Sequence, residues 1–396
     1  MNRPTIRLRP KRGHRFAAGF PWLYADELVL DRRTRTLAPG SVVTLQSPDR
    51  EPLATVAFNA ASGIAARFLD SDPSAAIDES WIAARLEQAR ALRDTAVGGA
   101  FYRLCHAEAD GLPGLIVDRF EDVLAVQPNT AWADAMLPQI LKGLEQNLRP
   151  RAVVVNRDGR GRAQEGMAGS EERALAAGSL ESPVEVVENG AVYLADLLNG
   201  QKTGHYFDQR DNHGFAARLS PGRSVLDVFS HAGGFSMACL AGGASSALAV
   251  DSSAPALALA EEAALRNGFA DRFRASRDDA IAAMRNMTSE GRRFDMVICD
   301  PPAFAPSKGS LQSGLRAYER TARAALPLVG EAGFLVFCSC SHAVTADALR
   351  EIVHDAVARA GRTATVIRSA GAGADHPVHS ALPESGYLKA LFFALN

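Results

Sequence analysis

The chain has 396 residues, with 43 basic and 45 acidic side chains for a formal net charge of −2. At roughly 150 residues per domain, that length predicts two to three domains. A hydrophobic content of 47% with 22% charged residues excludes disorder throughout. The five cysteines (Cys105, Cys239, Cys299, Cys338, Cys340) form no C-x-x-C pair, which argues against a disulfide framework and against a four-cysteine zinc site. No apolar run approaches the ~18 residues of a membrane span, and the charged start MNRPTIRLRPKRGHR lacks a signal-peptide core. The expectation is a soluble cytoplasmic protein with no metal and no membrane partner.

Charge is concentrated at the N-terminus, where residues 1–35 carry nine Lys or Arg against three acids, a local excess of +6. Phe16, Phe20, Trp22 and Tyr24 follow the basic run directly. Basic groups interleaved with aromatics suit backbone contact plus base stacking, although a solvated surface run is the equal alternative. Residues 41–47, 52–59 and 64–70 read as short strands of a small β-barrel. A helix is expected over 74–96, with Ile77, Trp81, Ile82 and Leu86 at helical spacing. Three strands (FYRLCHAEAD, GLIVDRF, VLAVQPN), a helix over 132–148 and the strand RAVVVNRD then predict an α+β unit. Residues 159–183 read as a loop-rich connector, and Asn189-Gly190 between two apolar runs as a hairpin.

From about residue 220 short apolar runs (SVLDVFS, ALAVD, FDMVICD, GFLVFCS) alternate with helical stretches. That alternation predicts a doubly wound, Rossmann-like α/β sheet, with TATVIRS and YLKALFFAL as an antiparallel pair at its edge. Ligands of such sheets bind beyond the carboxyl ends of the strands. There the sequence places His231-Ala232-Gly233-Gly234-Phe235, then Asp251, then Asp278-Asp279, then Asp300-Pro301-Pro302-Ala303-Phe304. Neither a G-x-G-x-x-G nor a G-x-x-x-x-G-K-[ST] phosphate loop is present, which weakens a dinucleotide or ATP reading. The acids Asp227, Asp251, Asp279 and Asp300 suit a ribose, an adenine and a cation instead. This pattern resembles the class I S-adenosylmethionine-dependent methyltransferases. The resemblance implies S-adenosylmethionine as cofactor, held by Asp227, Phe229, Ser230, Ala232, Gly233, Gly234 and Phe235 at the first turn. Asp251, Ser252, Asp278, Asp279 and Asp300 would complete the pocket.

Asp300-Pro301-Pro302 first suggests the Asp-Pro-Pro-Tyr motif of amino-group methylases. The next strand tip points elsewhere, because GFLVFCSCSHA sets Cys340 between two serines where the strand releases the chain. Carbon 5 of a pyrimidine becomes nucleophilic once a thiolate adds at carbon 6, and a thiol of pKa ~8.5 needs local help to ionise. Cys338 shares the face of Cys340 but lies deeper in the strand, while Cys105, Cys239 and Cys299 read as buried filler.

The stretches NGQKTGHYFDQRDNH (199–213), VFSHAGGFS, CDPPAF, CSCS and ADHPVHSALPESGYLK, with PWLYADEL and EADGLPGLIVDRF upstream, extend the likeness over nearly the whole chain. Together they resemble the bacterial 23S ribosomal RNA 5-methylcytosine methyltransferase family that carries an N-terminal PUA domain. The resemblance implies a PUA-like barrel (1–72), a central α+β domain with connector (73–185), and a hairpin plus methyltransferase domain (186–396). It implies Cys340 as nucleophile and Asp300 on the N3 side of the cytosine. Gln209 is expected on the cofactor, and Lys202, Tyr206, Arg210, Pro301 and Pro302 around the target nucleotide. Arg7, Arg9, Lys11 and Arg12 are expected on 23S rRNA, and a homodimer is compatible with the sequence. Where many RNA cytosine-5 methylases have a second cysteine, Ala303 stands here, so a one-cysteine route is implied. His231, His342 and His376, or water, are the candidates for removing the C5 proton. The rival readings are nitrogen methylation through Asp300-Pro301-Pro302 and a non-catalytic RNA-binding assembly factor.

Overall fold

The computed structural model describes residues 3–159, 161–167, 173–200 and 203–396. The chain divides into two units: Met1–Ser182 with Asp196–Gly204 and Ala374–Ser385, and Pro183–Ala195 with His205–Gly373 and Gly386–Asn396. The barrel and central segments thus fall in one unit, and the region expected to run unbroken from 186 to 396 lends two excursions to it.

In the first unit the strands β1 (Thr5–Arg7), β2 (Trp22–Leu23), β3 (Ser41–Gln46), β4 (Pro52–Phe58) and β5 (Ala66–Asp70) form a sheet in the order β1-β3-β4-β5-β2. Alternation sends Ile6, Leu23, Val43, Leu45, Val56 and Phe58 into one core. The helix Glu79–Ala96 begins five residues later than its periodicity suggests. The Asp78 carboxylate caps it by accepting from the Trp81 N–H at 3.0 Å. A second sheet has the order β10-β9-β8-β7-β6, from β6 (Phe101–His106), β7 (Leu115–Phe120), β8 (Val123–Pro128), β9 (Ala152–Asn156) and β10 (Arg173–Gly178). The expected helix over 132–148 is instead two, Ala131–Ala135 and Leu137–Leu148, broken at Met136 ahead of Pro138. Within the loop-rich connector read over 159–183, the structure also places β10. It pairs antiparallel with β9, yet its side chains are mostly exposed, so backbone pairing rather than a buried face holds it.

The excursion Ala374–Ser385 is tied in by a buried guanidinium. Arg93 is fully buried and binds both carboxylate oxygens of Asp110, the Arg103 carbonyl at 3.0 Å and the Asp375 carbonyl at 3.0 Å. Asp375 in turn accepts from the Arg103 N–H at 3.0 Å, and its other oxygen lies 2.9 Å from Nδ1 of His376. Beside it, burial and then Arg103 push the His106 imidazole down to about 2.

The second unit opens with the hairpin β11 (Val184–Glu188) and β12 (Ala191–Ala195), whose Asn189 and Gly190 both have positive φ, as the turn demands. Its main sheet comprises β13 (Ser224–Val228), β14 (Ser246–Asp251), β15 (Phe273–Arg277), β16 (Phe294–Cys299), β17 (Val329–Ser339), β18 (Ala364–Ala370) and β19 (Lys389–Leu395). The order is β15-β14-β13-β16-β17-β19-β18. Five strands run parallel, and β19 enters antiparallel between β17 and the edge strand β18. The chain leaves β13 for β14 on one side and later fills β16 on the other. That topological switch opens a crevice above β13.

Asp227 in β13 is almost completely buried and anchors the helix Gly234–Ala241, accepting from the Ser236 N–H at 3.0 Å and the Ser236 hydroxyl at 2.7 Å. Burial outweighs those bonds and raises its carboxyl to about 6.

Two outcomes are expected. Arg93→Met, which strands the Asp110 carboxylate, costs about 3–5 kcal/mol of unfolding free energy in urea titration. Because the folded-state value of Asp227 lies above its unfolded one, its contribution is full below about pH 4 and is lost as pH rises through about 6. Cofactor-free protein should therefore lose on the order of 3 kcal/mol relative to Asp227→Asn between pH 4 and 7, measured as the difference between the two unfolding curves.

Candidate active site

The loop after β13 is held in a costly conformation. Phe229 and His231 are left-handed (φ 63° and 50°) and Gly233 follows at φ 76°; for the two side-chain-bearing residues that geometry costs about 1–2 kcal/mol each. Three bonds compensate. The N–H groups of Phe229 and Ser230 reach the Val250 carbonyl at 2.9 and 3.1 Å, and the His231 N–H reaches Asp251 Oδ2 at 2.9 Å. Asp251 Oδ1 accepts from the Ser253 N–H at 2.8 Å, so one carboxylate joins the first two strand tips. Gly234 serves packing as much as access, since a Cβ there would lie 2.8 Å from the His213 ring. Phe235, expected at the cofactor, is buried edge-on to the same ring, 4.6 Å between centroids; it belongs to the core beneath the pocket.

At the third tip Asp279 Oδ1 caps the helix Ala280–Ser289 through the Ala282 N–H at 2.9 Å, and Asp278 accepts from the Asp279 N–H at 2.8 Å. Ser252 is exposed, and its carbonyl accepts from Arg277 at 3.3 Å.

The fourth and fifth tips lie side by side. Gln209 is buried with both amide ends used, donating to Asp300 Oδ2 at 2.8 Å and accepting from Asn212 at 2.7 Å. It also bonds to Cys338, whose thiol burial pushes well up. Gln209 thus orients Asp300, a job that its place in the sequence does not reveal. Cys340 is partly exposed, whereas Cys105, Cys239, Cys299 and Cys338 are buried. The serines flanking it turn inward: Ser339 donates to the Tyr318 hydroxyl at 2.8 Å, and Ser341 Oγ lies 2.8 Å from that hydroxyl and accepts from the Ala305 N–H at 2.9 Å. Pro301 is buried and Pro302 exposed beside them.

Tyr206 connects the two halves. Its ring meets His231 edge-on at 5.1 Å. Burial raises its hydroxyl well above the usual range, and the charges of Asp208, Asp300, Cys340 and Asp251 push the same way. Asp251, Asp300 and Cys340 therefore lie within electrostatic reach of one phenol. Asp208 also belongs here, accepting from the Tyr387 hydroxyl at 2.5 Å.

Other expected residues fall elsewhere. Arg210 is 3.5 Å from Glu188, a buried carboxylate that also faces His205 and His213 at 3.6 and 3.2 Å. Burial opposes its charge, but these histidines hold the Glu188 carboxyl well below the usual range. Arg210 is thereby engaged with the hairpin. His376 lies in the Arg93 cluster of the first unit, and His342 is exposed with its ring 5.5 Å from Tyr387. Arg9, Lys11 and Arg12 are exposed and Arg7 half-buried in the first unit; Arg9 donates to the Leu28 carbonyl at 2.8 Å, and Arg12 is 3.6 Å from Asp26. Lys202 lies outside the described residues. Among the described residues no group of His, Cys, Asp and Glu is arranged to hold a metal, and no helix is long and apolar enough to cross a membrane.

The crevice fits S-adenosylmethionine. Among the described residues, Asp227 Oδ1, Ser230 Oγ and Asp208 Oδ1 are buried without a hydrogen-bond partner, and such atoms call for a polar ligand. Acids at successive tips suit hydroxyls and a cation, and no phosphate cradle competes.

A family model described as S-adenosylmethionine-dependent methyltransferase matches residues 145–393, and a PUA-like domain model matches residues 6–71. Ribosomal RNA large subunit methyltransferase I of Cronobacter sakazakii is 35% identical over 378 residues, 93% of each chain. The protein of that name from Escherichia coli O139:H28 matches at the same identity and coverage. A solved putative S-adenosylmethionine-dependent methyltransferase from Streptococcus mutans superposes with a TM-score of 0.81 at 18% identity, covering 99% of this chain and 100% of its own. A putative methyltransferase complexed with S-adenosylhomocysteine gives 0.82 at 18% identity over 100% of both chains; at such identity the likeness is one of fold. Strand order, crevice, acids and both family models agree, and the chain belongs to the S-adenosylmethionine-dependent methyltransferase family, with a PUA-like domain at its N-terminal end.

Proposed function

We propose that this enzyme methylates carbon 5 of a cytosine in large-subunit (23S) ribosomal RNA, in the cytoplasm, through a transient bond between Cys340 and carbon 6. The observation that carries the reading is the partly exposed Cys340 thiol at the tip of β17, within electrostatic reach of the same Tyr206 phenol as Asp300 and Asp251. The names of the full-length relatives support ribosomal RNA as substrate, and the basic, aromatic-rich N-terminal unit supports RNA contact.

Bound S-adenosylmethionine supplies the methyl group on a sulfonium. Asp227, Ser230, Asp251, Ser252, Asp278 and Asp279 hold it, with Phe229, Ala232 and Gly233 as its walls. Cys340 Sγ forms its bond to C6 while the C5–C6 π pair moves toward C5, and Asp300, steadied by Gln209, shares a proton with N3 so that the ring accepts the charge. The C5 pair would take the methyl group as the methyl–sulfur bond breaks with its pair left on sulfur; water then accepts the C5 proton, the C5–H pair re-forms the C5–C6 double bond, and the thiolate departs with the S–C6 pair. Tyr206, Pro301 and Pro302 border the space for the flipped base. With Ala303 in place of a second cysteine, Cys340 departs without a thiol partner. Arg7, Arg9, Lys11 and Arg12 are offered to RNA phosphates, a contact that weakens with salt.

RNA carrying 5-fluorocytosine should trap a covalent complex, because fluorine at C5 blocks the final elimination. Cys340→Ala should form no adduct and lose on the order of 10³-fold in transfer to ribosomal RNA. An adduct in that variant, or a methylated purine in the product, overturns the assignment. Asp251→Ala should weaken cofactor binding roughly 10- to 100-fold, as expected for lost charge-assisted hydrogen bonds. Titration calorimetry checks it beside a melting curve, and unchanged affinity removes Asp251 from the ribose.

A further inference from the structure

Lys389 brackets Cys340 from a neighbouring strand. It opens β19, where the antiparallel register sets it opposite Ser339, the residue before Cys340. Its Nζ then donates to the carbonyl of Ser341, the residue after Cys340, at 2.6 Å, and to that of Tyr387 at 2.7 Å. The side chain is half-buried, and burial pushes it down to about 8, while the charge of Cys340 acts to raise it. Among the described residues no carboxylate lies within ion-pair distance of Nζ, so this ammonium sits in a low-dielectric place with carbonyl dipoles around it and one acidic group in its field. Burying a cation that way is unfavourable unless an anion forms nearby.

We propose that Lys389 is the positioning residue that holds Cys340 as a thiolate, the Ser341 and Tyr387 carbonyls fixing its ammonium beside the sulfur. The inference rests on Cys340 as nucleophile. Ionisation breaks the S–H bond, leaves the electron pair on sulfur and gives the proton to solvent; Lys389 keeps its own three protons. A local cation is needed, because the carboxyl groups around this tip oppose the charge. Asp300 beyond β16 is negative, as is Asp208, which reaches the tip through Tyr387. Burial and the charge of Cys340 keep Tyr206, Tyr318 and Cys338 protonated, so none of them supplies a positive charge. His342, next but one to Cys340, is exposed, with its ring 5.5 Å from that of Tyr387. Lys389 is a cation placed to favour thiolate at neutral pH.

Iodoacetamide alkylation of the protein without RNA or cofactor, followed across pH and read at the Cys340 peptide, tests this; the other four cysteines are buried. Lys389→Met and Lys389→Gln should each raise the alkylation midpoint by about one pH unit or more. Lys389→Arg, which keeps the charge, should bring it back toward the parent value, and the acid limb of kcat/KM should move in step. Gln retains a donor for the carbonyls, so a merely structural lysine predicts a parental midpoint in Lys389→Gln. Equal midpoints in the parent, Met and Gln proteins overturn the inference and leave the nucleophile standing. Full transfer by Cys340→Ala instead removes the nucleophile, whatever the alkylation curves show.

Discussion

The arrangement at the end of β17 depends on a small hydroxyl network. Ser339, Tyr318 and Ser341 share hydrogen bonds at 2.8 Å, and the Ala305 N–H closes the group at 2.9 Å. With both neighbours held inward, the residue between them has little choice of direction, so Cys340 is presented rather than buried. Because Ala305 follows the Asp300-Pro301-Pro302 turn, the same network fixes the spacing between the fourth and fifth strand tips. Buried polar groups that satisfy one another rigidify what they join.

The two units treat buried charge differently. In the first, Arg93 and Arg103 are matched to Asp110, Asp118 and Asp375 with nearly every donor used. In the crevice the matching is incomplete: Asp227 and Asp208 each keep an unpaired oxygen, Phe229 and His231 are left-handed, and Lys389 has carbonyls in place of a carboxylate. Such locally unfavourable features gather where a ligand or a reaction is to complete them.

Much of this was legible from residue order. Period-two apolar runs locate the sheet strands, Asn-Gly locates the hairpin, and acids at strand ends locate the crevice. What escaped has physical reasons. β10 carries little apolar pattern, because an edge strand with exposed side chains needs only its backbone. The helix over 132–148 is interrupted because Pro138 cannot donate to a preceding turn. Phe235 follows the glycines that face the crevice, but helical geometry swings it under them toward His213. Arg210 follows Gln209 directly, yet it turns to Glu188 on the hairpin while Gln209 turns to Asp300. Lys389 ends the family-like stretch ADHPVHSALPESGYLK, yet nothing in that stretch gives it a role, since its importance depends on β19 entering beside β17, a pairing between residues some fifty positions apart. Periodicity reports which face a residue is on, and it is silent about which strand arrives next to it.

The late arrival of β19 bears on when during synthesis the protein can work. Residues 389–395 fill an interior place between β17 and β18, so a nascent chain that has delivered everything up to β18 still has a gap in its sheet. Until that gap closes, β17 has an open edge, the Ser341 carbonyl lacks its lysine, and the thiol lacks its counter-charge. Vectorial synthesis therefore imposes an order: the crevice above β13 can assemble on an unfinished polypeptide, whereas the Cys340 tip gains its neighbouring strand only once β19 has slotted in beside β17.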